Sequence, residues 1–324
     1  MSFASWRSTL GAAFVFGAIC AGPAFAQAPY PNQRVLMYIG FAAGGYADSV
    51  ARVIGARLGE RLGQTFQAQN LEGGGGIRAA RQVTIAPPDG YTLLVTTTSL
   101  AINETYVPGR GYTVDRLAAV AMPVSAPESM TANNASGIKT IADMVAMAKA
   151  GKVYLGTPGI GSSSHIAAEF FFKALAKAEV KLIPFQGGSP ATLGLIAGDI
   201  NVMAATASGG PVRNVASGDI TGIGVETRER TSILPNVPTF AESGYPGFEA
   251  SAWVGFFAPA GTQTAVLDKL NREINAVVQE DETKERLKAL SADIFIRDRV
   301  STQSFLAGEI ANWSKMVEVV GTAQ

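Results

Sequence analysis

Apolar residues recur along this chain in short solid runs and in one-sided helical stripes, and the two kinds alternate. Residues 34–41 (RVLMYIGF) are almost wholly apolar, which predicts a strand buried on both faces. The small-residue turn Ala42-Ala43-Gly44-Gly45 follows, and over 46–62 the residues Val50, Val53, Ile54 and Leu58 fall on one helical face. Gly63 stops that helix. A second strand (65–70), a glycine turn (73–76), a helix (77–85), the turn Pro87-Pro88-Asp89-Gly90 and a third strand (91–96) continue the series. Strand, glycine turn and helix in repetition predict a parallel sheet with helices on both faces.

Residues 120–131 form a first crossing, after which the pattern restarts. Helices are expected over 141–150, 163–178, 189–197 and 211–217, and strands over 152–157, 181–185, 200–205 and 222–225. Proline and glycine crowd 235–246, a strand over 250–258 leads back, and helices over 264–280, 281–291 and 302–321 close the chain. The expectation is an α/β fold of two lobes, 27–126 with 250–324 and 127–249. Each lobe is a mostly parallel sheet flanked by helices, and the pair closes like a hinge over a cleft.

The first 26 residues stand outside this pattern. Arg7, an apolar run over 10–21 and the small-x-small triplet Ala24-Phe25-Ala26 have the layout of an export signal cut after Ala26. The run is short for a membrane span, and Ile19 stands where a lipidated Cys20 would require a small residue. Cleavage removes the one cysteine, leaving neither a disulfide nor a thiolate metal site. A soluble periplasmic product is expected. Lys and Arg number 26 against 26 Asp and Glu, so no basic surplus invites nucleic acid.

His165 is the single histidine, and a catalytic zinc takes three ligands dominated by His or Cys, which argues against a metal. Gly187-Gly188-Ser189-Pro190-Ala191 has the outline of a nucleophile elbow. Ser189 as helix N-cap with Pro190 at the first helical position accounts for it better. An exported serine hydrolase using Ser189 or Ser163 with His165 is the alternative function. Gly74 to Ala79 fits G-x-G-x-x-A, but no acidic residue follows over 92–99 to hold a ribose, so it reads as a tight turn and no cofactor is expected. Two other segments set small residues directly before a helix: Ala42-Ala43-Gly44-Gly45-Tyr46 and Gly159-Ile160-Gly161-Ser162-Ser163. Unpaired N–H groups and the helix dipole make such a place suited to an anion. One loop per lobe, each after a strand, predicts an anion held between them. His165 starts the second helix beside that site. Asp48 either complements the first helix dipole or reads a ligand donor.

Longer stretches carry a family likeness. YPNQRVLMYIGFAAGGYADSVARVIGARLGERLGQ, APPDGYTLLVTTTSLAIN, GTPGIGSSSHIAAE, IPFQGGSPATLGLIAGDINVM and LPNVPTFAESGYPGFEASAWVGFFAPAGT resemble the Bug, or tripartite tricarboxylate receptor, family of periplasmic solute-binding proteins. The resemblance implies a periplasmic-binding-protein-like fold and a small organic carboxylate held largely by backbone amides and water. It also implies a monomeric receptor serving a tripartite tricarboxylate-type membrane transporter or a sensor. Carried over by position, the first loop supplies Phe41, Ala43, Gly44, Gly45, Tyr46 and Asp48. The second supplies Gly159, Gly161, Ser162, Ser163, Ser164 and His165. Thr97, Thr98 and Ser99 join them, as do Gln186, Gly187 and Ser189, and Thr206 beside Ala205. The chain departs from the family where Ala42 and Ala43 replace prolines, Gln186 a lysine, Ala205 the neighbourhood of an acid, and Leu71-Glu72 an arginine. Tyr46 is bulkier than the usual residue. These departures favour a carboxylate without an amino group and with an apolar body.

Overall fold

The computed structural model describes residues 1–2 and 30–323. The export signal read over 1–26, with its cleavage after Ala26, lies outside the described residues but for the first two. The chain gathers into two compact units, Met1–Tyr30 and Pro31–Gln324. All the helices and strands below belong to the second.

The first half follows the alternating pattern: β1 (Val35–Ile39), α1 (Tyr46–Leu62), β2 (Phe66–Asn70), α2 (Ile77–Thr84) and β3 (Thr92–Thr97). An additional helix, α3 (Ser99–Tyr106), buries Ser99, Leu100, Ala101, Ile102, Asn103 and Tyr106. Burial on nearly every side leaves it no polar stripe, so periodicity does not announce it. The second half gives α4 (Ile141–Lys149), β5 (Tyr154–Thr157), α5 (Ser163–Phe170), β6 (Lys181–Pro184), α6 (Gly188–Ala197), β7 (Val202–Thr206), α7 (Gly209–Ser217) and β8 (Ile220–Val225). The helix expected over 163–178 is divided: α5 passes into a π-helical turn, Phe171–Ala176, that ends on Lys177 at φ 50°. β9 (Ser251–Pro259), α8 (Thr264–Val277), α9 (Asp281–Lys288), β10 (Asp293–Ile294) and α10 (Arg299–Val320) complete the chain.

Between the halves runs β4 (Leu117–Asn133), a single strand of 17 residues. The expected crossing is therefore not a linker but the strand both halves share. The sheet order is β2-β1-β3-β9-β4-β7-β5-β6, with β8 and β10 also on β4. The outer pairs β1–β2, β1–β3, β5–β6 and β5–β7 are parallel, and every pair involving β4 or β9 is antiparallel. β4 pairs with β9 as far as Pro127↔Ser251, then with β7 from Glu128↔Thr206 onward. The result is a two-lobed α/β architecture, with a parallel set of strands on either side of the antiparallel pair β4 and β9. One apolar core lies between α10 and the second half, where Trp313 and Val317 meet Ile166 and Phe171. Another joins α2, α3 and β9 through Val83, Leu100 and Phe257. These anchor the carboxyl ends of β1, β5 and β7, from which the site loops emerge.

Candidate functional site: four helix N-termini on one cleft

The chain after β1 turns at Gly44, where φ is 75° and an added Cβ would stand 3.2 Å from Ser189 Oγ. Glycine serves both demands, the left-handed backbone and the close approach. Gly45 is the N-cap of α1 and has no side chain to cap with. Asp48 holds the loop. Its Oδ2 accepts the Gly44 N–H at 2.8 Å, and both its oxygens accept from Arg52 Nε, at 2.9 and 3.0 Å. Asn70 Nδ2 donates to Asp48 Oδ1 at 2.9 Å and to the Phe41 carbonyl at 2.8 Å. Burial pushes the Asp48 carboxyl upward, but the donors Arg52, Gly44 and Asn70 outweigh it and hold it below the usual carboxylate range. Asp48 is thus a loop clasp, and it does not line the cleft.

In the second loop Ser162 caps α5 by accepting the His165 N–H at 3.2 Å. The Gly161 N–H donates to His165 Nδ1 at 3.1 Å, so the ring accepts through Nδ1. Burial above all, then Lys173, lowers the His165 pKa to about 4, and the ring is neutral. Its Nε2 lies 3.7 Å from Glu169, and the Tyr106 ring meets it edge-on at 5.5 Å. His165 therefore orders the loop from behind, in place of the ligand contact expected of it. Nor does it serve a serine: the Ser163 hydroxyl donates to Glu128, and Ser189 Oγ faces Gly44. The hydrolase alternative, Ser189 or Ser163 with His165, finds neither serine hydroxyl bonded to that imidazole among the described residues.

The two loops meet two further helix starts. Gly187 is the N-cap of α6 and Ser208 that of α7, and neither cap makes a side-chain hydrogen bond. Ser189, expected to cap α6, lies one position inside it, because the helix already begins at Gly188. The cleft is lined from α1 by Gly45, Tyr46 and Ala47, from α5 by Ser163 and Ser164, from α6 by Gly188 and Ser189, and from α7 by Gly210 and Pro211. The second residue of each helix (Ala47, Ser164, Ser189, Gly210) is among them. First-turn N–H groups have no acceptor inside their own helix, so four sets of amide donors open on one space. Phe41, Gly44, Thr97, Pro158, Ser162, Ala205, Thr206 and Ser208 complete the wall. None of these lining residues is an acid, a lysine, an arginine or a histidine.

The remaining sequence candidates sit elsewhere. Thr98 Oγ1 accepts the Trp253 N–H at 3.0 Å and ties α3 to β9, while Ser99 pairs with Thr97. Gly159 and Gln186 line a neighbouring cavity with Gly73, Gly74 and Gly75. The Gln186 carbonyl accepts the Ala42 N–H at 3.1 Å, a backbone bond from one half of the fold to the other. A Cβ on Gly187 would stand 2.9 Å from that of Ala42, and one on Gly161 would run into Asn103. Both glycines are packing positions, and Ala43 is exposed on the outer side of its loop.

One functional group escaped the sequence altogether. Glu128, on β4 directly opposite Thr206, is fully buried behind the cleft wall. Its carboxylate accepts the hydroxyls of Ser163 and Ser164, the latter at 2.7 Å, and is bonded by Thr206 as well. Burial raises its pKa against the pull of these three hydroxyls. Glu226 lies beside it, with its amide on the Glu128 carbonyl at 2.9 Å. It is 1% exposed, and neither carboxyl oxygen has a partner among the described residues. Burial first, and Glu128 second, push it well above the usual range. Tyr46 is raised likewise, by burial and then by Asp293 and Glu128, so its buried hydroxyl keeps its proton. A lone glutamate within the apolar run PVSAPESMTA was the available signal.

The family described as "Tripartite tricarboxylate transporter family receptor" matches residues 50–322. BugT of Bordetella pertussis (strain Tohama I) is 32% identical over 317 residues, covering 95% of this chain and 95% of that protein. Rpa4515 of R. palustris, solved with adipate, is 28% identical with a TM-score of 0.86, over 91% of this chain and 99% of that one. MatC of Rhodopseudomonas palustris, solved with bound malate, is 29% identical with a TM-score of 0.84, over 89% of this chain and 100% of that one.

Proposed function

This chain belongs to the tripartite tricarboxylate transporter receptor family, and from that premise we propose that it captures a small organic carboxylate in the cleft for delivery to membrane transporter subunits or a sensor. The observation that carries this reading is the convergence of α1, α5, α6 and α7, three of them without a side-chain cap. Each N-terminus favours an anion by about 0.3–1 kcal/mol, and more where partly buried. Amide-to-carboxylate bonds are roughly twice as strong as neutral ones. With no cationic side chain on the wall, carboxylate oxygens are the groups that satisfy these amides.

Donors approach from both halves of the fold, which suits a ligand with a carboxylate at each end. The two solved relatives carry adipate and malate, both dicarboxylates. In this reading the lobes are 27–126 with 250–324 and 127–249, and the change of partner on β4 between Pro127 and Glu128 supports a hinge there. The protein works in the periplasm after losing residues 1–26. Among the described residues no helix is long and apolar enough to cross a membrane.

A thermal-shift screen of mono- and dicarboxylates on the purified protein tests the proposal. A bound acid at 100 times its dissociation constant adds about 2.7 kcal/mol and raises the melting temperature by several degrees. A screen in which no carboxylate moves the melting temperature refutes it.

A further inference from the structure

The family's acidic residue near position 205 is absent here, but the strand paired with β7 supplies an acid in its place. Glu128 stands across from Thr206 in the ladder and accepts hydrogen bonds from the hydroxyls of Ser163, Ser164 and Thr206. Those three residues form one stretch of the cleft wall. A hydroxyl that donates backward to a carboxylate keeps only lone pairs for the cleft. This stretch therefore accepts, while the amides around it donate. The titratable groups around Glu128 are acidic: Tyr46 from α1 and Glu226 after β8, with Asp293 of β10 beyond Tyr46. No lysine or arginine is bonded to Glu128 among the described residues. An acceptor-lined wall backed by buried acids is unfavourable for a bare carboxylate or hydrocarbon and favourable for an O–H or N–H.

We propose that Glu128 is the specificity-determining residue of this cleft: it turns the Ser163, Ser164 and Thr206 oxygens into acceptors and so selects a carboxylate that carries a hydrogen-bond donor on its carbon skeleton. The proposal rests on the carboxylate-receptor reading and narrows it. It also departs from the expected apolar body and, where the donor is an ammonium, from the expected carboxylate without an amino group, an expectation that took Ala205 to mean that no acid was near.

The test is calorimetry at fixed pH with matched acids: succinate, malate and aspartate, and the corresponding adipate, 2-hydroxyadipate and 2-aminoadipate. On the skeleton that binds, the hydroxy or amino acid should bind at least about tenfold more tightly than the unsubstituted one. Whether hydroxyl or ammonium leads identifies the donor. In Glu128→Gln the new amide N–H₂ donates to one serine and turns that hydroxyl toward the cleft. The unsubstituted acid should then gain and the substituted one lose, bringing their ratio near one. Thr206→Val, which removes one acceptor and leaves the Glu128 carboxylate with its Ser163 and Ser164 bonds, should lower the ratio part of the way and covers a misfolded Gln variant. Equal affinity for all three acids of the binding skeleton overturns the proposal, as does a ratio unchanged in both variants. If no acid of either set binds while other carboxylates shift the melting temperature, the donor proposal falls alone. If none does, the receptor reading falls with it.

Discussion

The carboxylate of Asp48 accepts the Gly44 amide proton at 2.8 Å, so an acid in the first turn of α1 is spent on the shape of the loop before it. Arg52 and Asn70 complete the clasp, and Asn70 extends it to the Phe41 carbonyl. Replacing Asp48 with Ala releases Gly44 and leaves the Arg52 and Asn70 donors without their shared acceptor. Carboxylate affinity should fall by about tenfold, the worth of a charge-assisted hydrogen bond. Calorimetry on Asp48→Ala checks this, and native affinity in a folded variant contradicts it.

Gly45 offers a sharper probe. Its φ of −74° is open to any residue, so substitution does not strain the backbone. Yet a Cβ there would stand 3.2 Å from the Ala42 carbonyl and 4.0 Å from the Gly188 amide, between the starts of α1 and α6. Gly45→Val should keep the native circular dichroism spectrum and lose measurable carboxylate binding. Retained binding would place the anion elsewhere.

His165 makes stability depend on acid. Its pKa is about 4 in the fold and about 6.5 in the unfolded chain. Between those values the unfolded chain binds the proton and the native one does not. The contribution is therefore complete above pH 6.5 and lost as pH falls toward 4, up to about 3 kcal/mol. Urea titrations of the native protein and His165→Gln across this window should diverge, with the variant flatter. Parallel curves would contradict a buried neutral imidazole.

Glu226 acts in the opposite sense. Its pKa is raised in the fold, so its contribution is present below the unfolded value near 4.5 and is lost as pH rises through the folded value. Glu226→Gln removes that loss. The variant should match the native protein at about pH 4 and exceed it at pH 7 to 9, by about 1–3 kcal/mol for relief of an unpaired buried acid. Urea unfolding at the two ends of the range measures it. Lower stability of the variant at alkaline pH would mean that Glu226 is ionised and paired.

Much of this was legible in the chain. The strand, glycine turn and helix series located β1, α1, β2, α2, β5 and α6, because solid apolar runs and one-sided stripes report burial directly. Gly44, Gly45 and Ser163 were findable because small residues before a helix have a local cause. What did not show depends on distant partners. α3 has no polar stripe, since it is covered on nearly all sides. Asp48 and His165 were placed by sequence position next to the cleft, but their side chains turn to Gly44 and Gly161. Glu128 meets Ser163 and Ser164 only after α5 packs on β4, 35 and 36 residues along the chain.

A carboxylate held by four helix N-termini must mark their backbone amides. Nuclear magnetic resonance of ¹⁵N-labelled protein, titrated with the tightest-binding acid of the thermal screen, reads this directly. The amides of Ala47, Ser164, Ser189 and Gly210, the second residues of α1, α5, α6 and α7, should show the largest shifts and saturate together at one equivalent. Shifts confined to the cavity around Glu226, Glu309 and Trp313, with those four amides unmoved, would contradict the site.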